Sequence, residues 1–158
     1  MKSDYFVELS EAVALRKNWH ERDMRVVFTN GCFDLLHPGH VNYLDDAKKL
    51  GDVLIIGLNS DDSIRELKGS LRPVNKLSDR AHMLAALRSV DLVVPFSDKT
   101  PINLIKALLP DVLVKGGDYR ADEIVGAKEV REAGGEVIVV PFIGGYSSST
   151  LIDRIQNL

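Results

Sequence analysis

The stretch "FTNGCFDLLHPGHVNYL", residues Phe28 to Leu44, decides how this chain folds. An apolar run ends at an Asn-Gly turn, and Pro38 stands where a helix is expected to begin. Proline is favoured at the first helical position because its missing N–H would be unpaired there anyway. The stretch therefore predicts a strand, a glycine turn and a helix in succession, with His37 and His40 in the first helical turn.

Apolar runs of the same kind recur along the chain. Five runs rich in Val, Ile and Leu cover Arg25–Asn30, Asp52–Asn59, Asp91–Phe96, Asp111–Gly116 and Glu136–Phe142. Each is nearly continuous rather than alternating, which is typical of strands buried on both faces. Segments with helical spacing separate them. The pattern predicts an α/β fold: a parallel five-stranded sheet with helices on both faces.

The helical segments are identified by apolar residues three or four positions apart. Val41, Leu44 and Ala47 can share one face of a helix after His40. Ser78 is a plausible cap for the segment that follows it. The other predicted helices are Ser10–His20, Ala81–Ala85, Ile102–Leu109, Ala121–Ala133 and Ser149–Asn157. The basic stretch Leu67–Ser78, with Gly69 and Pro73, is predicted to be a mobile loop over a site.

Length and composition limit the class of protein. With 158 residues, 45% of them hydrophobic and 27% charged, the chain suits one domain, with a core at about 25–158 and a helical extension at 1–24. A net charge of -3 without a basic tract argues against a nucleic-acid partner. A single cysteine, Cys32, excludes an intrachain disulfide and fits the cytoplasm. No apolar run approaches ~20 residues, so no membrane span is expected.

Unusual residues follow several of the predicted strands. In a parallel α/β sheet, ligands bind beyond the carboxyl ends of the strands, so these residues should converge on one edge. The first run ends in Thr29 and Asn30, and Gly31 and the two histidines follow. The fourth run ends in Lys115 and Gly116, and Gly117 and Asp118 follow. After the fifth come Gly144, Gly145 and Ser147 to Thr150.

The two histidines favour an anion site. His37 at the cap and His40 in the first turn would place two ring N–H donors beside free backbone amides at the positive end of the helix dipole. Gly39 between them would leave the backbone bare for a ligand. Two alternatives stay open. The histidines could be ordinary polar residues at a helix start, or they could bind a metal with Asp34 as a third ligand.

Three further features are candidates for the same site. Ser147, Ser148 and Ser149 can cap a helix and also donate to a phosphate, although capping alone explains them too. Lys115 at a strand end is either a solvated lysine or a cation aimed at the site. Lys68 and Arg72 lie in the basic loop and could close over a phosphate. Cys32 is interpreted as a packing residue.

These motifs resemble a known family. "TNGCFDLLHPGH" resembles the His-x-Gly-His signature of the cytidylyltransferase-like nucleotidyltransferases, and "GYSSST" is similar to their Ile-Ser-Thr-Thr motif. "SDDSIRELKGSLRPVN", "DRAHMLAALRSVD", "PDVLVKGGDY" and the final motif "GYSSST" look like the subgroup that adenylates heptose 1-phosphate. The resemblance runs from Val26 to the C-terminus. One turn departs from it: Phe142 to Gly145 stand where cytidylyltransferases often carry Arg-Thr-Glu-Gly.

The resemblance implies a Rossmann-like fold and a reaction. AMP would pass from ATP to a heptose 1-phosphate, with magnesium assisting, to give ADP-heptose for lipopolysaccharide and pyrophosphate. The subgroup is often fused behind a sugar kinase, for which this chain has no room. We therefore expect a stand-alone transferase or an excised half, linked functionally to a separate heptose kinase. A homodimer is expected because related enzymes are commonly dimers.

Residue roles follow from the same resemblance. His37, His40 and Lys115 would stabilise the reacting phosphates, and Ser148 and Ser149 would hold the departing pyrophosphate. Arg72 and Lys68 are lid or phosphate candidates, and Asp34 would support its loop. The remaining nucleotide-site candidates are Thr29, Asn30, Gly31, Phe33, Gly39, Gly117, Asp118 and Ser147. The competing functions are a cytidylyltransferase for a polyol phosphate such as glycerol 3-phosphate, a nucleotide-binding module without turnover, and a metal-dependent hydrolase.

Overall fold

A computed structural model describes residues 5–158 and shows one parallel sheet. All four strand pairs are parallel, and the first and second strands pair over six residues. The five predicted runs each contain one strand, so the predicted sheet is confirmed. The strands are β1 Val26–Gly31, β2 Val53–Asn59, β3 Leu92–Phe96, β4 Val112–Gly116 and β5 Glu136–Val140. Their order across the sheet is β3-β2-β1-β4-β5.

Helices cover both faces of this sheet, as predicted. On one face the core includes Ala12, Ile105 and Val130. On the other it includes Leu44 and Leu84. The helices are α1 Leu9–Glu21, α2 Pro38–Lys48, α3 Asp61–Lys68, α4 Leu77–Ala85, α5 Ile102–Leu108, α6 Ala127–Glu132 and α7 Ser148–Gln156, with a 3₁₀ turn at Ala121–Glu123.

Several helix boundaries differ from the predicted ones. The segment Ala121–Ala133 is not one helix, because Gly126 adopts a φ of +86° and separates the 3₁₀ turn from α6. Ser78 does not cap α4; Lys76 occupies that position without a side-chain hydrogen bond. Leu109 lies beyond the end of α5 in a left-handed conformation, so it does not share the buried face of that helix. These positions depend on backbone turns that apolar spacing does not report.

Helix α3 was not predicted, and its sequence explains why. Only Ser63 and Ile64 are buried in it, so the apolar spacing that reveals the other helices is missing. The helix starts because the Ser60 hydroxyl accepts a hydrogen bond from the Ser63 amide. It follows β2 directly and carries Lys68 in its last turn, at the carboxyl edge of the sheet.

The N-terminal segment belongs to the packed structure. Helix α1 matches the predicted helical segment and contributes fully buried Ala12 to the core. Before it, the Val7 amide donates to the Val93 carbonyl on the outer strand β3. Arg16 ties α1 to the segment between α5 and β4, because it donates to the Leu108 carbonyl and pairs with Asp111 at 3.0 Å. In the described part of the chain, no helix combines the length and apolar character that crossing a membrane requires.

Candidate active site

A cavity of about 220 Å³ opens at the carboxyl ends of β1 and β4, the place the sequence predicts. Two larger cavities, of about 410 and 420 Å³, lie beside β3 and at the amino edge of the sheet, and neither includes the histidine motif. Chemistry rather than size therefore selects the site. This histidine cavity is lined by Asn30, Gly31, Cys32, Phe33, Asp34, His40, Tyr43, Lys68, Lys115, Gly116, Tyr119 and Phe142.

The two histidines form a stacked pair at the start of α2. His37 is the N-cap, and its Nδ1 accepts a hydrogen bond from the His40 amide at 3.3 Å. The ring centroids are 3.7 Å apart with an interplanar angle of 19°. The predicted cap and the shared side of the turn are confirmed. One detail differs, because His37 Nδ1 is an acceptor here and only Nε2 is left to donate to a ligand.

His40 is held neutral by its surroundings. Burial lowers its pKa to about 4, and the nearby His37 and Lys68 add to the effect. Burial also lowers the pKa of His37. The Nδ1 atom of His40 is buried and has no hydrogen-bond partner within residues 5–158. Such an atom costs about 1–3 kcal/mol, so the site is built at the expense of stability, as binding sites often are.

Gly39 does not leave bare backbone for a ligand, contrary to the sequence-based expectation. It is buried, and a Cβ atom there would lie 2.9 Å from the Cβ of Tyr146 and 3.0 Å from His37 Nδ1. The Tyr146 ring stacks on His37 with centroids 5.8 Å apart. Gly39 therefore makes room for Tyr146, which covers the outer side of the histidine pair.

The serine run mainly builds the start of α7. Ser147 is its N-cap and accepts from the Thr150 amide, so the capping interpretation holds for this hydroxyl. Ser148 Oγ donates to the Leu35 carbonyl at 2.7 Å, which ties α7 to the loop before the histidines. Neither these two residues nor exposed Ser149 lines the histidine cavity. The two helix starts are nevertheless neighbours, as predicted.

Lys115 is not a solvated surface lysine. Its side chain is part-buried at the end of β4, and burial lowers its pKa while the nearby Cys32 opposes that shift. Its Nζ lies 5.7 Å from the centroid of the Tyr119 ring, and no ion pair engages it within residues 5–158. A part-buried cation without a counter-ion is suited to an anionic ligand.

Arg72 has a different role from the predicted lid. Its Nε donates to Asp34 Oδ2 at 2.6 Å, and Asp34 is 1% exposed. The amides of Val74 and Asn75 donate to the same carboxylate at 2.8 and 2.9 Å. Burial opposes ionisation of Asp34, but these hydrogen bonds and Arg72 outweigh it and lower its pKa. The loop predicted to be mobile is thus pinned to Asp34, the supporting residue, whereas Lys68 lines the cavity.

The residues at the end of β1 divide between core and cavity. Thr29 is fully buried and its hydroxyl lies 2.6 Å from the Tyr43 hydroxyl, so its side chain does not line the histidine cavity. Asn30, Gly31 and Phe33 do line the cavity. A Cβ at Gly31 would meet the Phe33 ring at 2.9 Å, so this glycine accommodates a side chain of the protein itself.

The glycines after β4 show the same pattern. A Cβ at Gly116 or Gly117 would meet the Phe142 ring at 2.6 or 2.8 Å. Gly117 also has a φ of +107°, which favours glycine. Gly117 and the exposed Asp118 are not among the lining residues of the histidine cavity, whereas Gly116 is. Their contact with a nucleotide stays a prediction.

Three aromatic side chains complete the cavity wall and were not predicted. Tyr43 lies three residues after His40 on the same helix face, a spacing that could have identified it. Tyr119 directly follows the Lys-Gly-Gly-Asp stretch, and Phe142 ends the fifth apolar run. Cys32, interpreted as a packing residue, also lines the wall.

A buried arginine holds the loops of this edge together. Arg80 is fully buried and donates to the carbonyls of Cys32, Asn59 and Asn75. It also pairs with Asp61 at 2.7 Å, at the start of α3. It therefore links the ends of β1 and β2 to α3 and to the pinned loop. Nothing in the local sequence distinguishes it from a solvated arginine.

The metal-binding alternative finds no support in the donor geometry. Within residues 5–158, no group of three or more His, Cys, Asp or Glu side chains is arranged to hold an ion. Asp34, the suggested third ligand, is already engaged by Arg72 and two amides.

Comparisons with known proteins agree with the motif. The sequence model of the Cytidylyltransferase-like family matches residues 28–154. The chain is 53% identical over 151 residues to the bifunctional protein HldE of Haemophilus influenzae strain PittGG, covering 96% of the chain and 31% of that protein. For the HldE of Nitratiruptor the identity is 48% over 157 residues, covering 98% and 32%. The chain thus spans about a third of the length of these relatives.

Solved structures show the same fold. The lipopolysaccharide core biosynthesis protein of Thermoplasma volcanium has a TM-score of 0.62 at 28% identity, over 78% of this chain and 99% of that one. The pantoate-beta-alanine ligase of Francisella tularensis has a TM-score of 0.59 at 17% identity, over 97% and 73%, which supports the fold alone. The extent of the family match and the stacked histidine pair lead to one conclusion: this chain belongs to the cytidylyltransferase-like family.

Proposed function

We propose that this chain is an adenylyltransferase that moves AMP from ATP to a heptose 1-phosphate, giving ADP-heptose and pyrophosphate. The observation that carries the proposal is the histidine cavity itself. It brings His40, Lys68 and Lys115 together, and its one carboxylate, Asp34, is already neutralised by Arg72. Two lysines and a neutral imidazole, with no free carboxylate, suit a chain of phosphates.

The phosphates of ATP would lie across the ends of β1 and β4. Neutral His40 and His37 would donate hydrogen bonds from their ring N–H groups, and the two lysines would supply the positive charge. Backbone amides at the starts of α2 and α7 add partial positive charge at the same edge. The hydroxyls of Ser147 and Ser148 are engaged within the protein, so α7 would act through its amides.

The reaction needs alignment rather than a base. An oxygen of the acceptor phosphate, already ionised at neutral pH, forms a bond to the α-phosphorus of ATP. The bond from that phosphorus to the oxygen bridging the α- and β-phosphates breaks, and pyrophosphate leaves with the electron pair. Fixed donors that stabilise the developing charge would supply most of the acceleration. Consistent with this, within the described residues no hydrogen bond joins the Cys32 thiol of the cavity wall to His40 or Lys115.

Magnesium would arrive with ATP. The described residues offer no acidic cluster to hold an ion, so the phosphates and water would be its principal ligands. Its chemistry there would be to neutralise phosphate charge.

The assignments of heptose as the sugar and of lipopolysaccharide synthesis as the pathway rest on similarity to other proteins. The resemblance of four motifs to heptose 1-phosphate adenylyltransferases supports the heptose. The 28% identity to the lipopolysaccharide core biosynthesis protein of Thermoplasma volcanium supports a role in lipopolysaccharide synthesis. Since the HldE relatives are named bifunctional and are about three times as long, we propose that the chain acts with a heptose kinase. We also propose that it is a cytoplasmic protein, because its single cysteine fits a reducing compartment, and a homodimer, because related enzymes are commonly dimers.

A pyrophosphate-release assay tests the proposal. The protein is incubated with magnesium, each nucleoside triphosphate in turn, and either a panel of sugar 1-phosphates or glycerol 3-phosphate, and the product is identified by mass. ATP with heptose 1-phosphate should give ADP-heptose. CTP with glycerol 3-phosphate as the best pair would establish the cytidylyltransferase instead, and ATP binding by calorimetry without any pyrophosphate would establish a non-catalytic module.

A variant pair links the activity to the site. His40→Ala should keep the fold and lose about 10²–10³ in kcat, the usual effect of removing one such donor. His20→Ala removes an exposed imidazole from α1 and should keep wild-type turnover. Wild-type pyrophosphate release from folded His40→Ala would contradict the assignment.

A further inference from the structure

A second cavity of about 200 Å³ adjoins the histidine cavity. The two share Asn30, Lys115 and Tyr119 as walls. This lateral cavity is completed by Pro101, Glu123, Ile124 and Val125. It is smaller than the ~300–1,000 Å³ of typical ligand sites, which leaves room for one ring-sized group rather than a whole nucleotide.

The two cavities open toward opposite faces of the sheet. Phe28 and Leu113, each two residues before a shared wall residue, belong to the core on the side of α5 and α6. Because side chains alternate along a strand, Asn30 and Lys115 point to that side as well. His40 belongs to α2, which covers the other face. Lys115 therefore stands between the phosphate donors and the lateral cavity.

The polar groups of the lateral cavity suit hydroxyl groups. The Asn30 carboxamide has no hydrogen-bond partner within residues 5–158 and can both donate and accept. Glu123 offers a carboxylate that is only loosely paired, with Oε1 4.0 Å from Arg120 Nε. The Tyr119 ring and the side chain of Ile124 provide apolar surface. The carboxylate would repel a triphosphate, which carries only acceptors, whereas a sugar presents O–H donors and an apolar C–H face.

We propose that the lateral cavity binds the sugar ring of the acceptor, with the acceptor's phosphate on Lys115. This inference rests on the proposed function and adds the place and the determinants of sugar selection. Glu123 and Asn30 accept hydrogen bonds from ring hydroxyls, and Tyr119 packs against the ring. In this placement the acceptor's phosphate lies on Lys115, next to the proposed ATP phosphates. In-line transfer requires it to approach the α-phosphorus from the side opposite the departing pyrophosphate.

Kinetics of a Glu123→Gln variant test this placement. The substitution keeps the shape but removes the charge, and loss of a charge-assisted hydrogen bond should raise KM for the sugar 1-phosphate about tenfold. KM for ATP and kcat should stay within about twofold of wild type. Glu132→Gln is the matched control, because Glu132 lies exposed on α6 and pairs with Lys128 at 3.8 Å, away from either cavity. It should leave both KM values unchanged.

Binding of inorganic phosphate separates the ring from its phosphate group. By calorimetry, phosphate alone should bind wild type and Glu123→Gln equally, since it has no sugar ring to reach Glu123, while sugar 1-phosphate should bind the variant more weakly. A raised KM for ATP with an unchanged KM for the sugar would overturn the inference and place the base here instead. Unchanged values for both would overturn it as well. Failure of the proposed function is a distinct result, in which wild type itself releases no pyrophosphate with any sugar 1-phosphate.

Discussion

The stability of this protein should depend on pH through the buried imidazole of His40. Burial lowers its pKa to about 4, whereas in the unfolded chain it should titrate near 6.5. Between these values the unfolded chain binds a proton that the folded protein does not. The free energy of unfolding must therefore fall as pH is lowered from 6.5 to about 4, and this contribution becomes constant below that.

The size of the effect follows from the same two values. Each pKa unit corresponds to about 1.4 kcal/mol, so the full effect is at most about 3.5 kcal/mol. Between pH 7.5 and pH 5.0, a group with these two pKa values contributes about 2 kcal/mol of lost stability. For a protein of this size, a change of this magnitude is easily resolved by urea unfolding.

A variant isolates the contribution of His40 from that of other groups. The free energy of unfolding is measured for wild type and His40→Gln at both pH values, and the difference between the two proteins is compared. That difference should shift by about 2 kcal/mol in favour of the variant at pH 5.0. His20→Gln should show no such shift, because the His20 imidazole is exposed. A difference between wild type and His40→Gln that is the same at both pH values would refute the reasoning that burial holds this ring neutral.

Three further predictions follow from contacts at the same edge. Arg80→Lys should lose about 3 kcal/mol of stability in urea unfolding, because a lysine ammonium cannot make the several hydrogen bonds of the buried planar guanidinium. Arg88→Lys, at an exposed ion pair, should leave the urea midpoint unchanged. Gly39→Ala should displace Tyr146 and cost about 1–3 kcal/mol, seen as a lower urea midpoint and altered tyrosine fluorescence. Asp34→Asn should speed hydrogen exchange at the amides of residues 74 and 75, and unchanged exchange would show that the carboxylate does not pin the loop.

Much of the site was predictable because its first elements are local. Pro38 and the Asn-Gly turn place His37 at a cap, and a cap is determined by a few neighbouring residues. The continuous apolar runs determine a parallel sheet, and a parallel sheet brings its carboxyl ends to one edge. Those two facts suffice to bring His40 and Lys115 into the same cavity.

The errors concern contacts between segments distant in the chain. Gly39 was expected to face a ligand, but Tyr146 lies on it, more than 100 residues away. Arg72 was expected to close over a phosphate, but its guanidinium pairs with Asp34, 38 positions away in the chain. Local pattern reports the type of a side chain and not its partner, so it cannot say which polar groups the fold itself will satisfy.

The sequence by itself therefore determined the strands, most of the helices, the edge where they converge and the two histidines at a helix start, since each depends on hydrophobic periodicity or on capping chemistry within one turn. Tertiary structure alone decided which polar groups stay free for a ligand. The side chains of Phe33, Tyr146 and Phe142 cover the glycines that were expected to face a ligand, and Asp34 neutralises Arg72. Among the residues that the structure describes, Lys115 is left part-buried without a counter-ion, and His40 Nδ1 is left buried without a hydrogen-bond partner. The physical reason is that burial and hydrogen-bond satisfaction are sums over neighbours in space, which the chain meets only once it has folded.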